Sequence, residues 1–91
     1  MKLKTTHISA ANMVKEASEE YIKFWQTSWE KENAKEYRDN LHISYKDAAD
    51  LFCIGHLLEQ NRIEEALELA DNLDTAVREE IPNAAWEFLH Q

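Results

Sequence analysis

Ala10, Met13, Val14, Ala17, Tyr21, Phe24, Trp25 and Ser28 recur at the period of an α-helix, with Trp29 at the margin of their arc. Lys15, Glu16, Glu19 and Lys23 lie away from it. The pattern predicts an amphipathic first helix capped by Ser9, with Phe24 and Trp25 on its buried face. Tyr21 to Trp29 holds four of the nine aromatic residues, so this stretch has to be covered by the rest of the chain or by a partner. Beyond Ser28 the stripe stops. Glu32, Lys35 and Arg38 or Asp39 occupy the positions that would continue it, while Ala34, Tyr37 and Leu41 share a roughly opposite face. No Gly or Pro marks a break near Lys31 to Asn33. The first helix is therefore expected to span about 9–38 and to turn a second face to a different surface.

Asn40 to Ile43 reads as the connection. Ser44 followed by Asp47 resembles a capping box, with Asp in the place of Glu, and opens a second helix over about 45–60. Its apolar residues Tyr45, Ala48, Ala49, Leu51, Phe52, Cys53, Ile54, Leu57 and Leu58 cover more than half the circumference. That predicts a central helix buried on more than one side, with Cys53 in the core. Gly55 lies inside it at a cost of ~1 kcal/mol against Ala. Close approach of the helix carrying Trp25 is the expected compensation.

Gln60-Asn61-Arg62 is the next turn, with Asn61 in the left-handed region or acting as a cap. Ile63, Ala66, Leu67, Ala70 and Leu73 form an apolar stripe over a helix at 62–73. Glu64, Glu65, Glu68, Asp71 and Asn72 form its opposite face. Asp74 is an N-cap for a short helix at 75–81, where Ala76, Val77 and Ile81 continue the pattern. Pro82 suits the first turn of a last helix at 82–90. There Ala84, Ala85, Phe88 and Leu89 face inward and Trp86 falls off the arc. The fold class is all-α: one domain over 1–91, a compact bundle of four to five helices.

Ile54-Gly55, Leu58 and Asn61-x-Ile63-x-x-Ala66 resemble a single tetratricopeptide helical hairpin. In that family a small residue packs the two helices and an Ala follows the turn. The likeness covers about 25 residues of a repeat that needs about three copies to close a core. The turn here is one residue short and the family's usual Pro is displaced, so the stretch is read as a generic tight αα-hairpin and no binding residues are carried over.

Composition agrees with helices. One Gly and one Pro leave little room for tight β-hairpins. The net charge is −8, from 18 acidic and 10 basic residues, which sets the chain against phosphate backbones and anionic lipid. No stretch approaches ~20 consecutive apolar residues, so no membrane span is expected. Met1 to Ile8 carries no apolar run of signal-peptide length. The lone cysteine, Cys53, fits a reducing, cytoplasmic setting.

Candidate chemistry is sparse. Glu87-x-x-His90 has the spacing of one half of a di-iron site, and His56-x-x-Glu59 has the reverse order, but no ligand set of three or four is visible. Glu64-Glu65-x-x-Glu68 resembles the first half of the magnesium motif of all-α nucleotide pyrophosphohydrolases. The second half, a downstream Glu-x-x-Asp, is missing, so these carboxylates are read as a solvated face. Cys53 has no activator in the sequence. No metal, cofactor or catalytic set is expected.

The expected function is a non-enzymatic protein-binding module, an inhibitor or adaptor that occludes a basic surface on a protein partner such as a nucleic-acid-processing enzyme, without itself binding nucleic acid. Small phage-encoded inhibitors of restriction or CRISPR machinery supply the analogy. The residues assigned to the partner are Trp29, Ala34, Tyr37, Leu41, Glu64, Glu65, Glu68, Asp71 and Trp86. The alternatives are a small metal-dependent enzyme using His56, Glu59, Glu87 and His90, and a homodimer through the Ala34/Tyr37/Leu41 face.

Overall fold

The chain enters its first helix through a reciprocal cap at Thr6, not at Ser9. The Ser9 amide donates to Thr6 Oγ1 at 3.1 Å, and the Thr6 amide donates to Ser9 Oγ at 3.0 Å. This is a capping box with Ser in the third position, worth about 1 kcal/mol. The computed structural model describes the backbone at 5–30 and 34–91 and the side chains at 5–27 and 45–91. Among the described residues five helices follow one another: α1 (His7–Glu30), α2 (Ala34–Glu59), α3 (Ile63–Asp71), α4 (Thr75–Arg78) and α5 (Asn83–Leu89). Among the described residues there is no strand.

The first two helices depart from expectation. α1 ends at Glu30, and Ala34, Tyr37 and Leu41 belong to α2, which runs without interruption through the expected connection at 40–43. Ser44 and Asp47 are thus interior helix positions. Asp47 is used differently: its Oδ2 accepts a hydrogen bond from Tyr21 Oη on the facing helix at 3.2 Å. Together with the Lys15–Glu59 ion pair and the Gln26 Nε2 to Tyr45 Oη bond of 2.6 Å, this sets α1 and α2 antiparallel.

α1 and α2 approach closely at Gly55. A Cβ there would lie 2.8 Å from Lys15 Cγ and 3.1 Å from the Ala11 carbonyl oxygen. The neighbour is α1, as the cost of a mid-helix glycine implied. In the tetratricopeptide likeness the small residue would have packed against α3 instead. The α2–α3 turn is nonetheless tight: Asn61 takes φ 61°, the Arg62 amide bonds Leu57 O at 2.9 Å and the Asn61 amide bonds Leu58 O at 3.0 Å. That is a Schellman closure with asparagine at the left-handed position.

Ala10, Ala11 and Val14 of α1 pack with Leu51, Ile54 and Leu58 of α2, Ala66 and Ala70 of α3, and Leu73, Val77, Ile81, Ala85 and Leu89. α3 is closed at its end by Arg78, whose Nη2 donates to the carbonyls of Asp71 and Leu73 at 3.0 Å each. Asp74 and Pro82 stand at the N-caps of α4 and α5. The stripe on α1 is rotated by about 50° from the predicted arc, given 3.6 residues per turn. Ala10, Ala11, Val14 and Ser18 are the buried set. Phe24, at the far edge of the predicted arc, is therefore 63% exposed, contrary to expectation, while Trp25 is half-buried.

α2 is one-sided rather than central. Ala48, Leu51, Ile54, Gly55 and Leu58 are buried, but Tyr45 (46%), Phe52 (49%) and Cys53 are exposed. The core needs only the face that meets α1 and α3. Lys15 lies over the exposed Phe52 ring, 5.7 Å from its centroid. Native protein is accordingly expected to react with a thiol-specific reagent at Cys53 at nearly the rate seen in denaturant. A rate a hundredfold slower in the native state would return Cys53 to the core.

Candidate functional site

A concavity runs along α1 from Met13 to Trp25 and is bordered on its far side by Glu80 and Pro82, at the corner between α4 and α5. It encloses about 560 Å³. Met13, Ala17, Tyr21, Phe24, Trp25 and Pro82 supply its apolar lining, and the charged residues lining it are Glu16, Glu20 and Glu80. Helix spacing explains the arrangement. Positions 13, 17, 20 and 24 are successive neighbours at i+3 and i+4, so Glu16 and Glu20 edge an aromatic strip that α5 does not reach far enough to cover.

The rings form an angled set. Trp25 meets Tyr21 edge to face at 6.2 Å and 64°, and Phe24 at 5.3 Å and 83°. Tyr21 is tied through its hydroxyl to Asp47, so it offers the groove a ring more than a donor. Burial, then the Asp47 and Glu80 carboxylates, push its phenol up to about 12. Asp47 is also raised. Burial is the main cause, the Tyr21 hydrogen bond opposes it, and Asp50 and Asp74 add to it.

The sign for stability follows from the raised phenol. The neutral ring is favoured in the fold, so its contribution is full below the ordinary value of 10.0 and is lost as pH rises from there to about 12. Tyr21→Phe is expected to flatten that alkaline leg. In an ultraviolet difference titration it should also remove a phenol that titrates at about 12. Loss of a phenol titrating near 10 instead would contradict the burial of Tyr21.

The residues assigned from sequence are placed unevenly. Glu64, Glu65, Glu68 and Asp71 are exposed on α3. Glu65 is engaged by Arg62, whose Nε donates to Oε1 at 3.0 Å, and Asp71 Oδ1 lies 3.8 Å from His90 Nε2. Trp86 is half-buried against the core, with the His90 ring tilted by 46° against it at 4.2 Å and His90 Nδ1 donating to the Trp86 carbonyl at 2.9 Å. Trp29, Ala34, Tyr37 and Leu41 lie outside the residues whose side chains are described. The groove acids were missed. Glu16 and Glu20 could have been found as the charged border of the Tyr21/Phe24 edge, whereas Glu80 is brought there only by the α4–α5 corner.

His56, Glu59, Glu87 and His90 are not gathered. His56 Nε2 lies 3.2 Å from Gln60 Nε2, and Glu59 pairs with Lys15, whose hydrogen bond and charge hold its carboxyl below the ordinary value. Among the described residues no group of three or more His, Cys, Asp or Glu side chains is placed to hold a metal ion, and no helix is long and apolar enough to cross a membrane. No family model matches the chain, and no curated protein or solved structure matches it either.

Proposed function

We propose that the protein is a binding module for a basic surface on a partner protein, acting as an inhibitor or adaptor by covering that surface. The observation that carries this reading is the groove on α1: an open aromatic lining whose charged residues, among the described residues, are three glutamates. Exposed aromatic area in a concave site is the usual anchor of an interface, and acidic edges select and steer a cationic partner. Glu64 and Glu68 on α3 are exposed carboxylates as well, and the net charge of −8 has the same sign. A nucleic-acid-processing enzyme is the partner class with the matching chemistry, because its substrate channel is cationic.

The test is affinity capture from the native host, with elution in rising salt. The reading expects a specific protein that leaves the column as salt rises, because exposed charge pairs are screened. Its capture should fall when Phe24 is changed to Ala or when Glu64 and Glu68 are changed to Gln. A partner held equally by all forms and indifferent to salt would contradict it.

A further inference from the structure

We infer that the groove seats a short partner segment in which one arginine neighbours an apolar side chain. The guanidinium lies against Phe24 and Trp25 among Glu16, Glu20 and Glu80, and the apolar neighbour lies toward Met13, Ala17 and Pro82. This rests on the reading of the protein as a module for basic partners and names what its groove takes.

Three features lead to it. The first is charge: among the described residues, the charged groups that border the apolar floor are Glu16, Glu20 and Glu80, a set complementary to a bound cation. The second is ring geometry. Trp25 stands at 64° to Tyr21 and 83° to Phe24, which makes corners where a planar cation can contact one ring while its edge faces a carboxylate. Arginine suits this better than lysine, because its weakly hydrated plane stacks on aromatic faces and its fork matches carboxylates. The third is size. A volume of about 560 Å³ lies in the range of sites that hold a compact multi-group ligand, so it has room for more than one side chain. The apolar end formed by Met13, Ala17 and Pro82 would otherwise stay wet.

The test is a nitrogen-15 amide correlation titration of the full-length protein. The probe is a neutral Gly/Ser peptide of about ten residues with a single Arg-Leu pair; the controls carry Gln-Leu, Lys-Leu or Arg-Ser. Shifts are expected at Met13 to Trp25 and at Glu80 with the Arg-Leu peptide. They should be absent with Gln-Leu and at least fivefold weaker in affinity with Lys-Leu and Arg-Ser. Phe24→Ala and the Glu16→Gln/Glu20→Gln pair should each weaken binding about tenfold, with the rest of the spectrum unchanged as the check that the fold persists. Shifts that gather on α3 around Glu64 and Glu68 would overturn the groove assignment and leave the basic-partner reading standing. Equal response to Gln-Leu, or equal affinity for Lys-Leu, would overturn the arginine assignment. No response to any cationic peptide, with capture from the host also insensitive to salt, would remove both.

Discussion

Gly55→Leu should destabilise the protein by about 3 kcal/mol, the upper part of the overpacking range. The new side chain would start at a Cβ already 2.8 Å from Lys15 Cγ and 3.1 Å from the Ala11 carbonyl oxygen. Neither a carbonyl of helix backbone nor the Cγ of Lys15, next to its own backbone, can swing aside as the tip of a lysine can, so α1 and α2 must separate. Separation loosens Ala10, Ala11 and Val14 from Leu51, Ile54 and Leu58, which are the part of the core shared by the two long helices. The ~1 kcal/mol that a mid-helix glycine costs against Ala is far too small to offset this. Gly55→Ala is the informative milder variant. Its helix-propensity gain and its two short contacts oppose each other, so its stability should lie well above that of Gly55→Leu. Urea denaturation of both checks the order, and a Gly55→Leu protein as stable as the parent would mean that α1 and α2 do not approach there.

Leu58→Ala should cost about 2–5 kcal/mol, a large part of the about 5–15 kcal/mol available to a small domain. Leu58 is fully buried among residues of several helices and sits one turn before the Schellman closure, so the cavity left behind cannot collapse without moving α3. Phe52→Ala on the same helix is expected to cost under about 1 kcal/mol, because half of that ring is already in water and surface changes are mild. The contrast decides between a one-sided and a central α2. If Phe52→Ala proved as damaging as Leu58→Ala, the outer face of α2 would have to be covered.

The later helices were the legible part of the fold. Asn61, Asp74 and Pro82 punctuate the chain with residues whose backbone preferences are strong, and the structure ends or starts helices at each of them. The long pair was harder. Nothing in the local sequence at Lys31 to Asn33 resembles a stop signal, and the apolar residues after it, Ala34, Tyr37 and Leu41, fit the phase of α2 only once α2 is known to begin there. The start of α1 was misplaced by three residues because Thr6 and Ser9 satisfy each other, and either could pass for the cap. Burial on α1 was misjudged for a tertiary reason. Periodicity defines an arc, but which edge of it is covered depends on where the other helices land: Ala11 lies against Gly55 of α2 and is buried, and Phe24 is not. Likewise α2 carries enough apolar residues for two buried faces, and over its described side chains, 45–59, Tyr45, Phe52 and Cys53 stay exposed. The groove combines both effects: most of its lining is an edge of α1 visible in the helical spacing, and the rest, Glu80 and Pro82, comes from a corner that no local pattern announces.

The acidic character of that groove is the claim on which the functional reading stands, and reversing it is the most direct trial. Glu16→Lys/Glu20→Lys in the intact chain keeps two exposed helix positions helical and leaves the core untouched, so thermal unfolding should be unchanged. The account predicts that the protein captured from the host by the parent is no longer retained by this variant at the lowest salt tested. Retention of the same partner at the same salt would contradict it.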